Sequence, residues 1–251
     1  MILDDIVSRT KRRVARLPAT FPDTPEREHA GLADTIRNRD GRTKVIAEIK
    51  CASPSRGVIR PNVDMPAMAR SLVSGGCSAI SVLTEPYYFG GSVRDVTKVA
   101  ESVPVPVLRK DFIIDLRQLH ETRSLGADAV LLIAAVLRDD LPAYVDSAFD
   151  CGLEPLVEVH TLAEAGAALA TKAALIGINN RNLATLAIDR STTRTLAGGI
   201  RAAERLVVAE SGMRSADDVR ELKPYCDAFL IGSSIMAHQE PAKKLEEFVC
   251  A

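Results

Sequence analysis

Eight short apolar runs, rich in β-branched residues, recur along this chain, and a helix-like segment lies between each and the next. That alternation limits the folds open to it. The runs are KVIAEI from Lys44, AISVL from Ala79, VPVLR from Val105, AVLLI from Ala129, PLVEV from Pro155, LIGI from Leu175, LVVA from Leu206 and AFLI from Ala228. The intervening segments carry helix punctuation. Asp64 precedes a stretch with Pro66 in its first turn and Gly75 after its end. Ser215 precedes a stretch with acids in its first turn. The segments Asp115 to Leu125 and Arg138 to Cys151 stop at Gly126 and Gly152. Strand and helix in strict alternation imply parallel strands joined by helical crossovers. Eight such units in about 200 residues predict an α/β protein, a single (β/α)8 barrel of the TIM type. A doubly wound sheet is the alternative; the count of eight, and the lack of G-x-G-x-x-G after the first strand, favour the barrel.

Residues 1–43 precede the first run. Ile2, Leu3, Ile6, Val14 and Leu17 fall near one helical face. A Pro-rich link, LPATFPDTPE, and a short helix around Leu32 to Arg37 follow. We read 1–43 as an N-terminal helical extension packed on the barrel, and 44–251 as the barrel itself. The chain has 251 residues, 47% of them hydrophobic, and a formal net charge of −1. This suffices for a large core and lacks the basic surplus of a nucleic-acid binder. The longest apolar run, Ala129 to Leu137, is too short to span a bilayer. The N-terminus, with Asp4 and Asp5, does not read as a signal peptide. Five cysteines without a C-x-x-C pair read as free thiols in a reducing cytoplasm. Four scattered histidines predict no metal site.

In barrels of this kind, chemistry collects at the C-terminal ends of the strands. The first run ends in Glu48 and Lys50, two residues apart and so on one face. The third ends in Lys110, the fifth carries Glu158, the sixth ends in Asn179-Asn180-Arg181 and the seventh in Glu210-Ser211-Gly212. The eighth ends in Gly232-Ser233-Ser234. Any one of these charges reads most simply as a structural ion pair. Three glutamates and two lysines at one mouth read instead as a proton-transfer and anion-binding cluster, because burying charge is costly unless the charges pair or work. The Gly-Ser pairs after the last two strands, with a short helix beginning near Ser233, predict a phosphate site. Phe89 and Phe112 lie just past strand ends, either folded over the core or lining a slot for a flat ring. The loop CASPSRGVIRPN has no regular period: a lid, or a long surface connection. Cys51, beside Lys50, is either a reactive thiol or a passive side chain on the opposite strand face.

The stretches AEIKCASPSRG, ISVLTEPYYFGGS, PVLRKDFIID, GADAVLLI, PLVEVH, IGINNRNL, VAESGM and AFLIGSSIM, in this order, resemble the indole-3-glycerol phosphate synthase family from residue 47 to residue 236. The resemblance implies conversion of 1-(2-carboxyphenylamino)-1-deoxyribulose 5-phosphate to indole-3-glycerol phosphate, carbon dioxide and water, in tryptophan biosynthesis. It implies no cofactor and no metal. By motif, Lys110 is implied as the general acid on the ketone oxygen, Lys50 as holder of the anthranilate carboxylate, and Glu158 as a participant in dehydration. Glu48 and Glu210 would position the lysines and sugar hydroxyls; Asn179 and Arg181 are implied as substrate and network contacts. Ser53, Ser211, Gly212, Gly232 and Ser233 would hold the phosphate, and Phe89, Phe112, Leu131 and Leu183 would line the ring pocket.

Cys51 stands where this family usually has a basic residue, which implies altered affinity and not an altered reaction. Some relatives are fused to a second barrel, an isomerase; this chain, ending at Ala251, reads as monofunctional. The partner expected is a phosphorylated small molecule, with neither nucleic acid nor membrane, acting on a monomer or weak homo-oligomer. Three rivals remain: a phosphosugar isomerase with Cys51 as base, a barrel that binds a phosphorylated ligand without turnover, and a Schiff-base aldolase using Lys110.

Overall fold

The structure, a computed structural model, describes residues 2–22, 31–38, 40–182 and 184–251. All eight apolar runs are strands. They are β1 (Lys44–Ile49), β2 (Ala79–Leu83), β3 (Val107–Lys110), β4 (Ala129–Ile133), β5 (Glu154–Val159), β6 (Leu175–Asn179), β7 (Leu206–Glu210) and β8 (Ala228–Ile231). Each pairs in parallel with its neighbours in chain order, and β8 returns to β1, so the sheet closes. Closure excludes the doubly wound alternative. β3 starts at Val107 and not at Val105, because Pro106 has no N–H to give the ladder.

Alternation along each strand sorts the core in two. In β1, Val45, Ala47 and Ile49 face outward into the cluster shared with the helices, while Ile46 faces into the barrel. The inner cluster holds Ile46, Leu108, Leu156 and Val208, one from each odd-numbered strand. Two residues further along the same strands stand Glu48, Lys110, Glu158 and Glu210. Inward-facing residues of alternate strands stack in layers of four. The mouth of this barrel is therefore one charged layer laid on an apolar one.

The helices in the intervening segments follow their punctuation. Met65–Ser74 is capped by Asp64, whose Oδ1 accepts the Ala67 N–H at 3.0 Å. Ala216–Leu222 begins with a reciprocal capping box between Ser215 and Asp218. The segment from Arg138 starts as a 3-10 turn and becomes helical only at Leu141, where Pro142 enters the first turn. The loop CASPSRGVIRPN is not aperiodic throughout: Ala52–Ser53 pairs antiparallel with Gly57–Val58 as a small hairpin.

The extension packs on both ends of the barrel. Helix α1 (Ile2–Val14) buries Ile6, Thr10 and Val14, and Ile6 joins the inner cluster. Helix α2 (Leu32–Arg37) buries Leu32, Ala33 and Ile36 in the same cluster. Its first N–H groups are capped by the Glu154 carboxylate at the start of β5; the Ala33 N–H lies 3.0 Å from Oε2. An acid there also faces the positive end of the helix. So α2 covers the strand-start end and α1 the mouth.

Lys110 is held from outside the barrel. Its neighbours Arg109 and Asp111 are both fully buried. The Arg109 guanidinium reaches Asp111 at 3.0 Å, Glu121 at 2.8 Å and the Thr122 hydroxyl at 2.9 Å. Arg13 of α1 closes on the other Asp111 oxygen at 2.7 Å. Removing one partner of such a network strands the rest. Arg109→Met is expected to cost about 3–5 kcal/mol of stability, read as an earlier midpoint in urea denaturation. An unchanged midpoint would mean that Arg13 alone satisfies Asp111.

Candidate active site

A cavity of about 450 Å³ opens at the mouth. That lies within the ordinary range for a small-molecule site. Its lining includes Glu48, Lys50, Ser53, Phe89, Lys110, Phe112, Leu131, Glu158, Asn179, Arg181, Ser211, Gly212, Gly232 and Ser233. Leu183 lies outside the described residues. Glu210 does not line the cavity and has no exposure. It contacts Lys110, whose Nζ lies 2.6 Å from its Oε2.

The charged layer is asymmetric. Lys110 Nζ lies 2.6 Å from Glu210 Oε2 and 3.4 Å from Glu48 Oε2. Lys50 Nζ lies 2.5 Å from Glu48 Oε1. Burial disfavours the charged form of Lys110, but the carboxylates of Glu210, Glu48 and Glu158 outweigh it, and the amine stays protonated well above its usual range. Burial likewise pushes Glu48 up; two ammonium groups pull it back below its ordinary value. Glu210 has only a share in one lysine. Burial, reinforced by Glu158 and Glu48, pushes it up to about 7 against the pull of Lys110. Glu210 therefore keeps its proton to higher pH than an ordinary glutamate.

The strands between make room. A Cβ on Gly177 of β6 would come within 2.2 Å of Glu210 Oε1, and one on Gly232, just past β8, within 2.3 Å of Glu48 Oε1. Only glycine admits the two carboxylates at those points.

The walls are apolar. Phe89 and Phe112 pack with ring centroids 6.5 Å apart. Phe89 is held by Glu85, whose carboxylate accepts the N–H groups of Tyr87, Tyr88 and Phe89 at 3.0, 2.7 and 3.2 Å. Ile2, Leu3 and Ile6 of α1 complete the wall. Asp5 of the same helix accepts the Tyr88 hydroxyl, tying helix to loop.

The rim is cationic. Burial, with Arg56 and Arg214 nearby, disfavours the charge on Arg181, whose guanidinium donates to the Leu186 carbonyl at 2.8 Å. Asn179 Oδ1 accepts the Arg181 N–H at 2.9 Å. Like charges drawn together over a cavity make a seat for an anion. Beside them, Ser211 takes a left-handed φ of 63° and Gly212 one of 94°, and the short helix Ser233–Met236 starts after Gly232. The Ser234 hydroxyl binds the Met213 carbonyl at 2.9 Å, fastening the two Gly-Ser loops together.

Sequence reasoning missed Ile2, Leu3 and Ile6 as wall residues, and Arg56, Met213 and Arg214 at the rim. Arg56 stood inside AEIKCASPSRG and Arg214 directly after VAESGM, where their charge was the available signal. Cys51 resolves as the passive alternative. Its side chain packs against the outer, helix-facing cluster, and burial raises its thiol. Among the described residues, no group of three or more His, Cys, Asp or Glu is placed to hold a metal ion, and no helix is long and apolar enough to cross a membrane.

Floor, walls and rim define a (β/α)8 barrel of the acid–base type, with a buried ammonium under an anion-binding mouth. The family model described as indole-3-glycerol phosphate synthase matches residues 3–248, and the chain belongs to that family. The indole-3-glycerol phosphate synthase of Azospirillum brasilense is 46% identical over 202 residues, 80% of this chain and 77% of that one. That of Kineococcus radiotolerans is 39% identical over 263 residues, covering 100% of this chain and 95% of its own. Among solved structures, the tryptophan synthase alpha chain of Legionella pneumophila has a TM-score of 0.62 at 12% identity, over 88% of this chain and 96% of that one. Thiamine phosphate pyrophosphorylase of Pyrococcus furiosus has a TM-score of 0.61 at 18%, over 87% and 96%. At such identities the likeness is one of fold.

Glu210 gives a test of the layer. The folded chain binds its proton more tightly than the unfolded chain, where the group titrates near 4.5. Its contribution to stability is fully present below that pH and is lost as pH rises through about 7. Glu210→Gln cannot ionise and is expected to abolish this part of the decline in a series of urea midpoints from pH 4.5 to 8. Midpoints that track the wild type throughout would show that Glu210 titrates normally.

Proposed function

We propose that this chain closes the indole ring of 1-(2-carboxyphenylamino)-1-deoxyribulose 5-phosphate, releasing carbon dioxide and water to give indole-3-glycerol phosphate. The observation that carries the reading is a protonated lysine, Lys110, among carboxylates on the floor of an apolar-walled cavity. Ring closure breaks aromaticity for a moment as the ring carbon bearing the carboxylate attacks the ketone. Negative charge develops on the ketone oxygen, and Lys110 delivers the proton it needs. Lys50, held by Glu48, faces the anthranilate carboxylate. Loss of carbon dioxide then restores the aromatic ring, a step that a dry cavity favours. Loss of the hydroxyl as water needs an acid on the departing oxygen and a base for the remaining proton, and we assign the base to Glu158.

The phosphate is assigned to the N–H groups around Ser211–Gly212 and Gly232–Ser233, with Ser53 beside them. Phe89, Phe112 and Leu131 would sandwich the ring, and Asn179 and Arg181 would hold the substrate between its anionic ends. Glu48 and Glu210 act through the lysines. We treat residues 1–43 as an extension of the 44–251 barrel, and the protein as a cytoplasmic enzyme working as a monomer or weak homo-oligomer without cofactor.

The test is to mix protein and substrate in the presence of EDTA and follow indole fluorescence. Lys110→Ala is expected to lose about 10²–10⁴ in kcat. Equal rates from variant and wild type would remove Lys110 from the acid role; no indole from the wild type, with ligand binding intact, would discard the synthase. Cys51→Ala is expected to keep full activity, whereas an isomerase with Cys51 as base would lose its turnover.

A further inference from the structure

Glu158 Oε1 is buried and makes no hydrogen bond, and the same is true of Glu210 Oε1 in the same layer. Unlike Glu210, Glu158 has an imidazole beside it: His160 Nε2, itself buried and without a hydrogen bond, lies 3.4 Å from that oxygen. Two orphaned polar atoms this close, one a donor when the ring is protonated and one an acceptor, are a contact waiting to tighten. Catalytic hydrogen bonds are often long without ligand and shorten when substrate arrives.

The far side of the imidazole is already fixed. Glu164, in the helix Leu162–Leu169, places Oε2 at 3.2 Å from His160 Nδ1 and accepts the His160 backbone N–H with the same oxygen at 2.7 Å. The double contact sets the ring plane, so that Nε2 points toward Glu158. We propose that His160 is a positioning residue for Glu158: Glu164 orients the imidazole, and the imidazole donates to the Glu158 carboxylate and aims it during the dehydration step. The inference rests on the reading of Glu158 as the base of that step.

The charges around the ring agree. Glu158 faces it from β5, Glu164 from its helix, and Glu210 from β7 at longer range. At the level of Glu158, the paired strands β4 and β6 present Ile133 and Gly177, which carry no charge. Burial works against the charged ring, but the three carboxylates outweigh it and raise its titration above 6.5. His160 is therefore a cation over more of the working range than a free histidine. Lys110 is the other cation that Glu158 feels, and it is already shared with Glu48 and Glu210.

His160→Gln keeps a donor near the Nε2 position and removes the charge. The loss is expected where the wild-type ring is a cation: kcat falls by about tenfold on the acid side of the profile and converges on the wild type at high pH, where the wild-type ring is itself neutral, with KM within about twofold. Glu164→Gln is expected to lower the acid side the same way by less. A purely structural role would lower kcat equally at every pH, and that result would overturn the proposal, as would an unchanged profile.

A second reading needs no turnover. The ring nitrogens of His160, assigned in ¹⁵N spectra by their loss in His160→Gln, are expected to titrate above 6.5 in the wild type and lower in Glu158→Gln. A midpoint unmoved by Glu158→Gln would show that the two groups do not interact, and the proposal would fail. A wild type that makes no indole while the ring midpoint does move would instead sink the synthase reaction and leave the pair intact.

Discussion

Four charged side chains from alternate strands cannot be laid over an apolar layer unless they satisfy one another. Glu48, Lys110, Glu158 and Glu210 stand directly above Ile46, Leu108, Leu156 and Val208. A carboxylate there without a partner would cost several kcal/mol. Lys110 meets that demand for two of them, and Lys50 adds a second contact for Glu48. The remaining strands give up volume for it, which is why glycine stands at Gly177 and Gly232. The demand also fixes the charge state. The surrounding carboxylates keep Lys110 protonated, and burial raises the titration of Glu210. The floor thus carries an ammonium at one point, Lys110, before any ligand is present.

Holding a layer like this in register takes constraints from outside the barrel. On β3, Lys110 faces inward while Arg109 and Asp111 face outward into a fully paired network. Arg13 of α1 ends that network, and the same helix supplies Ile2, Leu3 and Ile6 to the cavity wall. One element therefore both locks the acid strand and shapes the room above it. Above the floor the charge reverses: Arg56, Arg181 and Arg214 line the rim of the cavity.

The strands were legible because a buried parallel strand is a continuous apolar run, and charges inside such runs stood out. Glu48 and Lys50 could be placed on one face by period alone. What could not be read was anything set by distance through space. Ile2, Leu3 and Ile6 fall on a helical face, yet nothing in the sequence says which end of the barrel the face meets. That Glu210 is shut off from the cavity while Glu158 lines it could not be read either, since register is visible in sequence and depth is not. His160 stood two residues past Glu158 in PLVEVH, but a lone histidine gains meaning only when Glu164, four residues on, is seen to fix its ring.

Glu158 and Glu210 show why fold alone does not assign chemistry. Both end parallel strands at the same level of one barrel, and both are almost wholly buried. Glu210 is closed off from the cavity, with the Lys110 ammonium 2.6 Å from one of its oxygens; Glu158 lines the cavity and has an imidazole 3.4 Å from one of its own. Barrels that match this one at 12–18% identity share the fold that carries such strand ends. What distinguishes these two carboxylates is their side-chain neighbours, and chemistry is decided at that level and not by the fold.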